Sequence, residues 1–195
     1  MDGLDWSASA MRAARAQLDV ATHNLANAGS DGFRRVAARV ELGPDGLRVR
    51  TEATREQGAV RATGRPFDLA LLGGGSFHVG AGMTRGGAFT RDRDGWLVDD
   101  RGRRLKAACG ELRLSDRATI ASDGTVHDRG RIVDRLPLPA GTRVLSGSLE
   151  TSTVNPIDQT LAILTAQRAF ETAQKTMVAI DSTREKSAND VGRLK

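Results

Sequence analysis

The chain has 195 residues, a formal net charge of +5 at pH 7, 39% hydrophobic residues and no Tyr. That length suffices for one domain with a real core plus further helices, and no run of 18 or more apolar residues offers a membrane span. The positive charge comes from Arg scattered among Asp and Glu, and with five Phe and two Trp the chain lacks the clustered basic and stacking residues of a nucleic-acid binder.

The start, Met1-Asp2-Gly3-Leu4-Asp5, has neither a basic n-region nor an apolar h-region. No cleavable secretory signal is expected, so export would need a route that does without one. From Leu4 to Ala28 the residues favour a helix. Leu4, Met11, Leu18 and Leu25 recur every seven residues, and Ser7, Ala14, Ala21 and Ala28 form a companion row offset by three. The two rows make a seam of large and small residues suited to close helix–helix approach. Gly29-Ser30-Asp31-Gly32 then stops the helix.

Residues 36–150 alternate short apolar runs with turn dipeptides such as Asp45-Gly46, Asp94-Gly95 and Asp123-Gly124, which reads as β-structure. The stretches from Asp94 to Arg103 and from Asp123 to Arg131 resemble each other and read as successive hairpins of one small sheet or barrel. Asn155-Pro156 signals a second helix start. After it Ile163, Phe170 and Met177 fall seven apart, with Ala166, Ala173 and Ile180 as the companion row and a polar tail beyond. Neither helix can bury its seam alone, so each needs a partner. The expected fold is therefore α+β: N- and C-terminal helices pairing as a coiled coil beneath a small antiparallel β-domain. The expected divisions are 1–30, an N-terminal coiled-coil helix; 31–150, a linker and β-rich domain; and 151–195, a C-terminal coiled-coil helix and polar tail.

Sites for chemistry are sparse. Gly73-Gly74-Gly75 follows an apolar strand, but no Gly-Lys-Ser/Thr follows it, so a tight hairpin or bulge is expected instead of a phosphate loop. Asp92, Asp94, Asp99 and Asp100 lack the third ligand and the Glu of a calcium loop. His23, His78 and His127 lie far apart, with no metal-ligand spacing. The lone Cys109 excludes an internal disulfide framework, and nothing beside His78 or His127 supports it as a nucleophile. No catalytic residue, cofactor or metal site is expected, and no enzyme activity. The run from Asn24 to Arg34 is different. Asn24 and Asn27 lie close to an apolar seam, where an unpaired amide is costly and can fix register between chains.

At that run the chain resembles the rod and hook axial proteins of bacterial flagella. Residues 17–33, with the Asn24-Leu25-Ala26-Asn27 core and Gly32-Phe33, resemble the family's N-terminal motif. Gly64-Arg65-Pro66-Phe67-Asp68-Leu69-Ala70-Leu71, Phe89-Thr90-Arg91-Asp92, and Ser146 to Asn155 with Gln167-Arg168-Ala169-Phe170-Glu171 resemble its later motifs, in order. Ser152-Thr153-Val154 departs from the family's usual Ser-Asn-Val, and the linkers are short, as in a compact member without an outer domain. The join from Thr142 to Gly147 is more like proximal than distal rod proteins.

The resemblance implies an exported structural subunit of the basal-body rod. It would polymerise helically with itself and with other rod and hook subunits, link the basal ring to the hook and transmit torque. It implies handling by the flagellar type III export apparatus and a place in the rod across the periplasm or cell wall, with no nucleic acid partner and no membrane insertion. The expected assembly core is Leu4, Met11, Leu18, Leu25, Ile163, Phe170, Met177 and Ile180. The motif contacts would be Asn24, Asn27, Gly32, Phe33, Pro66, Asp68, Gln167 and Arg168. A coiled-coil adaptor or assembly factor that does not polymerise is the alternative, and a small hydrolase using Cys109 or the Asp-rich turns a more distant one.

Overall fold

Asp2 begins the first helix. Its Oδ1 accepts the N–H groups of Leu4 (2.9 Å) and Asp5 (3.2 Å), which satisfies donors a helix start leaves unpaired. In the computed structural model, which describes residues 2–44 and 46–193, this helix is α1 (Gly3–Ala26). A hairpin follows, β1 (Val36–Gly43) with β2 (Gly46–Ala53), antiparallel and in unbroken register from Val36↔Ala53 to Gly43↔Gly46. Asp45 of the expected turn lies outside the described residues. The chain ends on the 38-residue α2 (Pro156–Arg193). Asn155 Oδ1 accepts the Ile157 N–H at 3.0 Å and Pro156 takes the first helical position, where its missing N–H costs nothing. The polar stretch beyond Ile180 continues as helix.

These elements, α1, the hairpin and α2, form one compact unit. The helices run antiparallel within it. Gly3 stands against Ile180 and Asp2 Oδ2 pairs with Arg184 at 2.7 Å, while Asn24, at the other end of α1, meets Gln159. Small side chains permit the approach: Ala13, Ala14 and Ala21 of α1, and Ala166 and Ala173 of α2, are buried.

The second unit comprises Asn27–Arg34 and Arg55–Thr153. Its strands are β3 (Val60–Ala62), β4 (Leu69–Leu72), β5 (Phe77–Val79), β6 (Gly82–Thr84), β7 (Thr90–Arg91), β8 (Leu97–Val98) and β9 (Leu105–Ala107). Then come β10 (Gly110–Glu111), β11 (Thr119–Ile120), β12 (Thr125–Asp128), β13 (Arg131–Arg135), β14 (Arg143–Ser146) and β15 (Ser148–Glu150). They pair antiparallel in small sheets ordered β10-β9-β5-β6, β11-β12-β13, β14-β4, β15-β3 and β7-β8. Their apolar faces meet in one core of Leu69, Leu71, Phe77, Val79, Phe89, Leu97, Leu105, Val126 and Val144, among others. Phe77 and Phe89 are set edge to face with centroids 5.3 Å apart, a favoured aromatic geometry.

Two expectations for this unit are corrected. Gly73–Gly75 forms neither a hairpin nor a bulge: β4 pairs with β14 and β5 with β6 and β9, so the glycines carry the chain from one sheet to another. Gly75 has φ +91°, and a Cβ there would stand 2.6 Å from the Pro139 ring. The two similar Asp-Gly stretches also part company, since β8 belongs with β7 and β12 with β11 and β13.

Candidate functional site

Both helices lie in the first unit, where the seam residues fall on the faces they turn toward each other. Along α2, Ile163, Phe170, Met177 and Ile180 are half-buried and Ala166 and Ala173 fully buried, with exposed residues between them. Along α1 the small row is the deep one. Ser7, Ala14 and Ala21 are buried, whereas Leu4, Met11, Leu18 and Leu25 are half-buried and keep part of their apolar surface open.

Asn24 is 1% exposed. Its Nδ2 donates to the Val36 carbonyl at 2.8 Å and to Gln159 Oε1 at 3.0 Å, and its Oδ1 accepts the Val36 N–H at 2.9 Å. One carboxamide thereby ties the end of α1 to the first residue of β1 and the first turns of α2, so the register it sets is within the subunit. Gln159 is the partner in this clasp that the sequence reading missed. It sits seven residues before Ala166, in the same row of the seam, and that spacing is the signal that could have found it.

The remaining motif residues make other contacts. In the second unit the Asn27 carbonyl accepts the Ser30 N–H at 3.1 Å, and the half-buried Phe33 accepts the Thr153 N–H at 3.0 Å. Gly32 has φ +69°, and a Cβ there would lie 2.4 Å from the Arg85 carbonyl carbon, so only glycine fits. Pro66 is exposed, and its carbonyl accepts the Ser146 hydroxyl at 2.7 Å. Asp68 is fully buried and takes both oxygens to Arg65, at 2.6 and 2.9 Å, a fork that raises the Arg65 pKa. Gln167 and Arg168 are exposed on α2.

A buried pair the sequence did not single out braces the second unit. Arg85 Nε donates to Glu150 Oε2 at 2.7 Å, its other nitrogens donate to the Gly75 and Leu71 carbonyls, and Glu150 Oε1 accepts the Gly58 N–H. Each guanidinium nitrogen and both carboxylate oxygens of the ion pair thus have a partner, as a buried pair requires. The aspartates are turn-formers. Asp92 Oδ1 accepts the N–H groups of Asp94 and Trp96, and Asp99 Oδ1 those of Arg101 and Arg103. Burial pushes the Asp99 carboxyl up, but these amides and the Arg103 guanidinium outweigh it and hold the pKa below the usual carboxylate range.

Apolar surface also remains on the far side of α2. Ile157, Leu161 and Leu164 are 70%, 58% and 48% exposed and, at spacings of four and three, share the face opposite Gln159, Ala166 and Phe170. A helix apolar on opposite faces is built for more than one partner. No helix among the described residues is long and apolar enough to cross a membrane.

Comparison with known proteins points the same way. A family model described as flagella basal body rod protein matches residues 4–34, and one described as flagellar basal body rod FlgEFG protein C-terminal matches residues 145–190. The flagellar basal-body rod protein FlgF of Caulobacter vibrioides is 27% identical over 238 residues, covering 92% of this chain and 92% of the relative. FlgF of Mesorhizobium japonicum is 25% identical over 236 residues, with 98% of each chain covered. FlgG of Agrobacterium fabrum is 25% identical over 251 residues, covering 93% of this chain and 96% of the relative. Each aligned stretch is longer than this chain's 195 residues, so the relatives carry residues with no counterpart here. With the two family models on its two ends, and relatives aligned over nearly the whole length, the chain is similar to flagellar basal-body rod proteins along nearly all of its sequence.

Proposed function

We propose that this chain is a structural subunit of the flagellar basal-body rod, held in it by its paired terminal helices. The observation that carries the reading is the position of the two family-matched ends. They form one antiparallel pair, tied by Asn24 and Gln159, that still exposes Ile157, Leu161 and Leu164 on its outer side. A subunit with apolar surface left over after folding completes its burial against neighbours, and a repeated contact that does not close generates a helical filament. Helices of adjacent subunits extend the pair into a coiled-coil layer, and the filament links the basal ring to the hook and transmits torque. Delivery is by the flagellar export apparatus. The role is architectural rather than enzymatic.

Quantitative mass spectrometry of purified hook–basal bodies tests this. The expected result is a fixed number of copies per particle. Absence from the particles, with a defined small oligomer of the pure protein by light scattering, overturns it in favour of a coiled-coil adaptor.

A further inference from the structure

The β1–β2 hairpin has features of an assembly strand that the helices do not share. Its register is continuous over all paired residues, with no bulge, and among the described residues no third strand pairs with either edge. Such an edge is a template for another strand unless something blunts it. The sequence alternates strictly. Val36, Ala38, Val40, Leu42, Leu47 and Val49 take one face, and Ala37, Arg39, Glu41, Arg48, Arg50 and Glu52 the other. Leu47 and Val49 are half-buried beside Ala13 and Ala16 of α1, whereas Val40 and Leu42 on the β1 side are 42% and 72% exposed.

The directions of the backbone groups follow from Asn24. Both the N–H and the C=O of Val36 bond to its side chain and therefore point away from β2. Alternation then turns the groups of Ala38, Val40 and Leu42 outward on β1, and those of Leu47, Val49, Thr51 and Ala53 outward on β2. The charged face is only partly matched within the hairpin, where Glu41 stands opposite Arg48. Arg39 stands directly opposite Arg50, a like-charge pair that costs stability, and Glu41 reaches Arg50 only along the diagonal, at 3.8 Å.

We propose that β1 of one subunit pairs edge to edge, antiparallel, with β2 of a second copy of this chain, in the register that sets Glu41 opposite Arg50 and Arg39 opposite Glu52. That register is two residues off the one within the hairpin. It forms hydrogen-bonded pairs Val40↔Thr51 and Leu42↔Val49, while the two opposite-charge pairs fall at the non-hydrogen-bonded sites, where side chains come closest. Sliding the strands by two residues one way puts Arg39 against Arg50. Sliding them by two the other way puts Glu41 against Glu52. Charge complementarity thus selects both the occupant and its register. The exposed Leu42 gains Val49 as a neighbour on the apolar face, and the contact, being heterologous, propagates from copy to copy. The proposal rests on the rod reading and adds to it a sheet contact independent of the helices.

Two cysteines test the register. In a Cys109→Ala background, Glu41→Cys with Arg50→Cys places thiols on a diagonal within one hairpin, about 7–8 Å apart, beyond the about 3.5–4.5 Å between Cβ atoms that a disulfide spans. In the proposed contact they face each other across two chains. Mild oxidation of hook–basal bodies containing this variant should give a ladder of covalent multimers on a non-reducing gel. Particles that hold the variant at the normal copy number yet give only monomer overturn the edge pairing and leave the rod reading standing. Absence of the unmodified chain from the particles removes the rod reading and the pairing with it. A charge swap gives a second measure. Arg50→Glu relieves the clash with Arg39 inside the hairpin but sets Glu against Glu41 between copies. It should abolish swimming, and Glu41→Arg together with Arg50→Glu should restore it. Full motility of Arg50→Glu alone overturns the proposal.

Discussion

Asn24 shows how much one buried polar residue can organise. Its carboxamide makes three hydrogen bonds to groups far apart in sequence, and each would otherwise lose a partner inside the first unit. Asn24→Ala should destabilise that unit by about 1–3 kcal/mol, the usual cost of stranding buried polar groups, measured by denaturant unfolding. Gln159→Ala should cost less, since the two bonds of Asn24 to Val36 survive it. Asp99 is the corresponding residue of the second unit, with its turn amides and the Arg103 guanidinium at 2.8 Å. Because its folded pKa lies below the unfolded value, its contribution is fully present above about pH 4 and is lost as the pH falls through the folded pKa. An acid titration of the second unit should therefore be steeper in the parent chain than in Asp99→Asn, whose stability at neutral pH is lower.

Among the elements, the helices and their phase were the most legible in the sequence. A seven-residue repeat fixes which side of a helix faces a partner whatever the partner is, and Asn155-Pro156 marked the start of α2. Depth within the seam was less legible. The repeat treats Leu18 and Ala21 alike, but close antiparallel approach buries the small residue and leaves the large one at the rim. The strands of the second unit were legible as turns and strands, not as pairings, because two to five residues carry too little pattern to name a neighbour. Hence Gly73–Gly75 read as a hairpin or bulge. The clasp was half legible: Asn24 stood out as a polar residue inside a helix, while Gln159 looked like any polar residue on α2. The packing makes a distinction at this scale. Ala14→Leu forces extra methylenes into the tightest part of the helix pair and should cost about 1–3 kcal/mol, whereas Met11→Leu, at the half-buried rim and nearly isosteric, should cost less than about 1.5 kcal/mol. Thermal unfolding followed by helical circular dichroism separates the two.

For the whole molecule, the division into two units has a consequence that a single stability value hides. Each unit has its own packed interior, one of small side chains between α1, α2 and the hairpin, the other of aliphatic and aromatic residues gathered from many short strands. The chain's two Trp fall one to each: Trp6 on α1, 42% exposed, and Trp96 in the second unit beneath the Arg104 guanidinium, 4.6 Å from its ring centroid. Single-tryptophan variants, Trp6→Phe and Trp96→Phe, therefore report the two units separately. Leu18→Glu places a charge at the half-buried rim of the helix seam, where any neighbouring helix in the rod would remove it from water, and an unpaired buried charge is strongly unfavourable. In the isolated subunit the substitution should lower the transition seen by Trp6 and leave that seen by Trp96 within about 0.5 kcal/mol of the parent, as for independent sites. In cells it should abolish incorporation into the rod while the β-rich unit stays folded. Loss of the Trp96 transition along with that of Trp6 would mean that the two units fold as one and that the helices do not act as a separable assembly module.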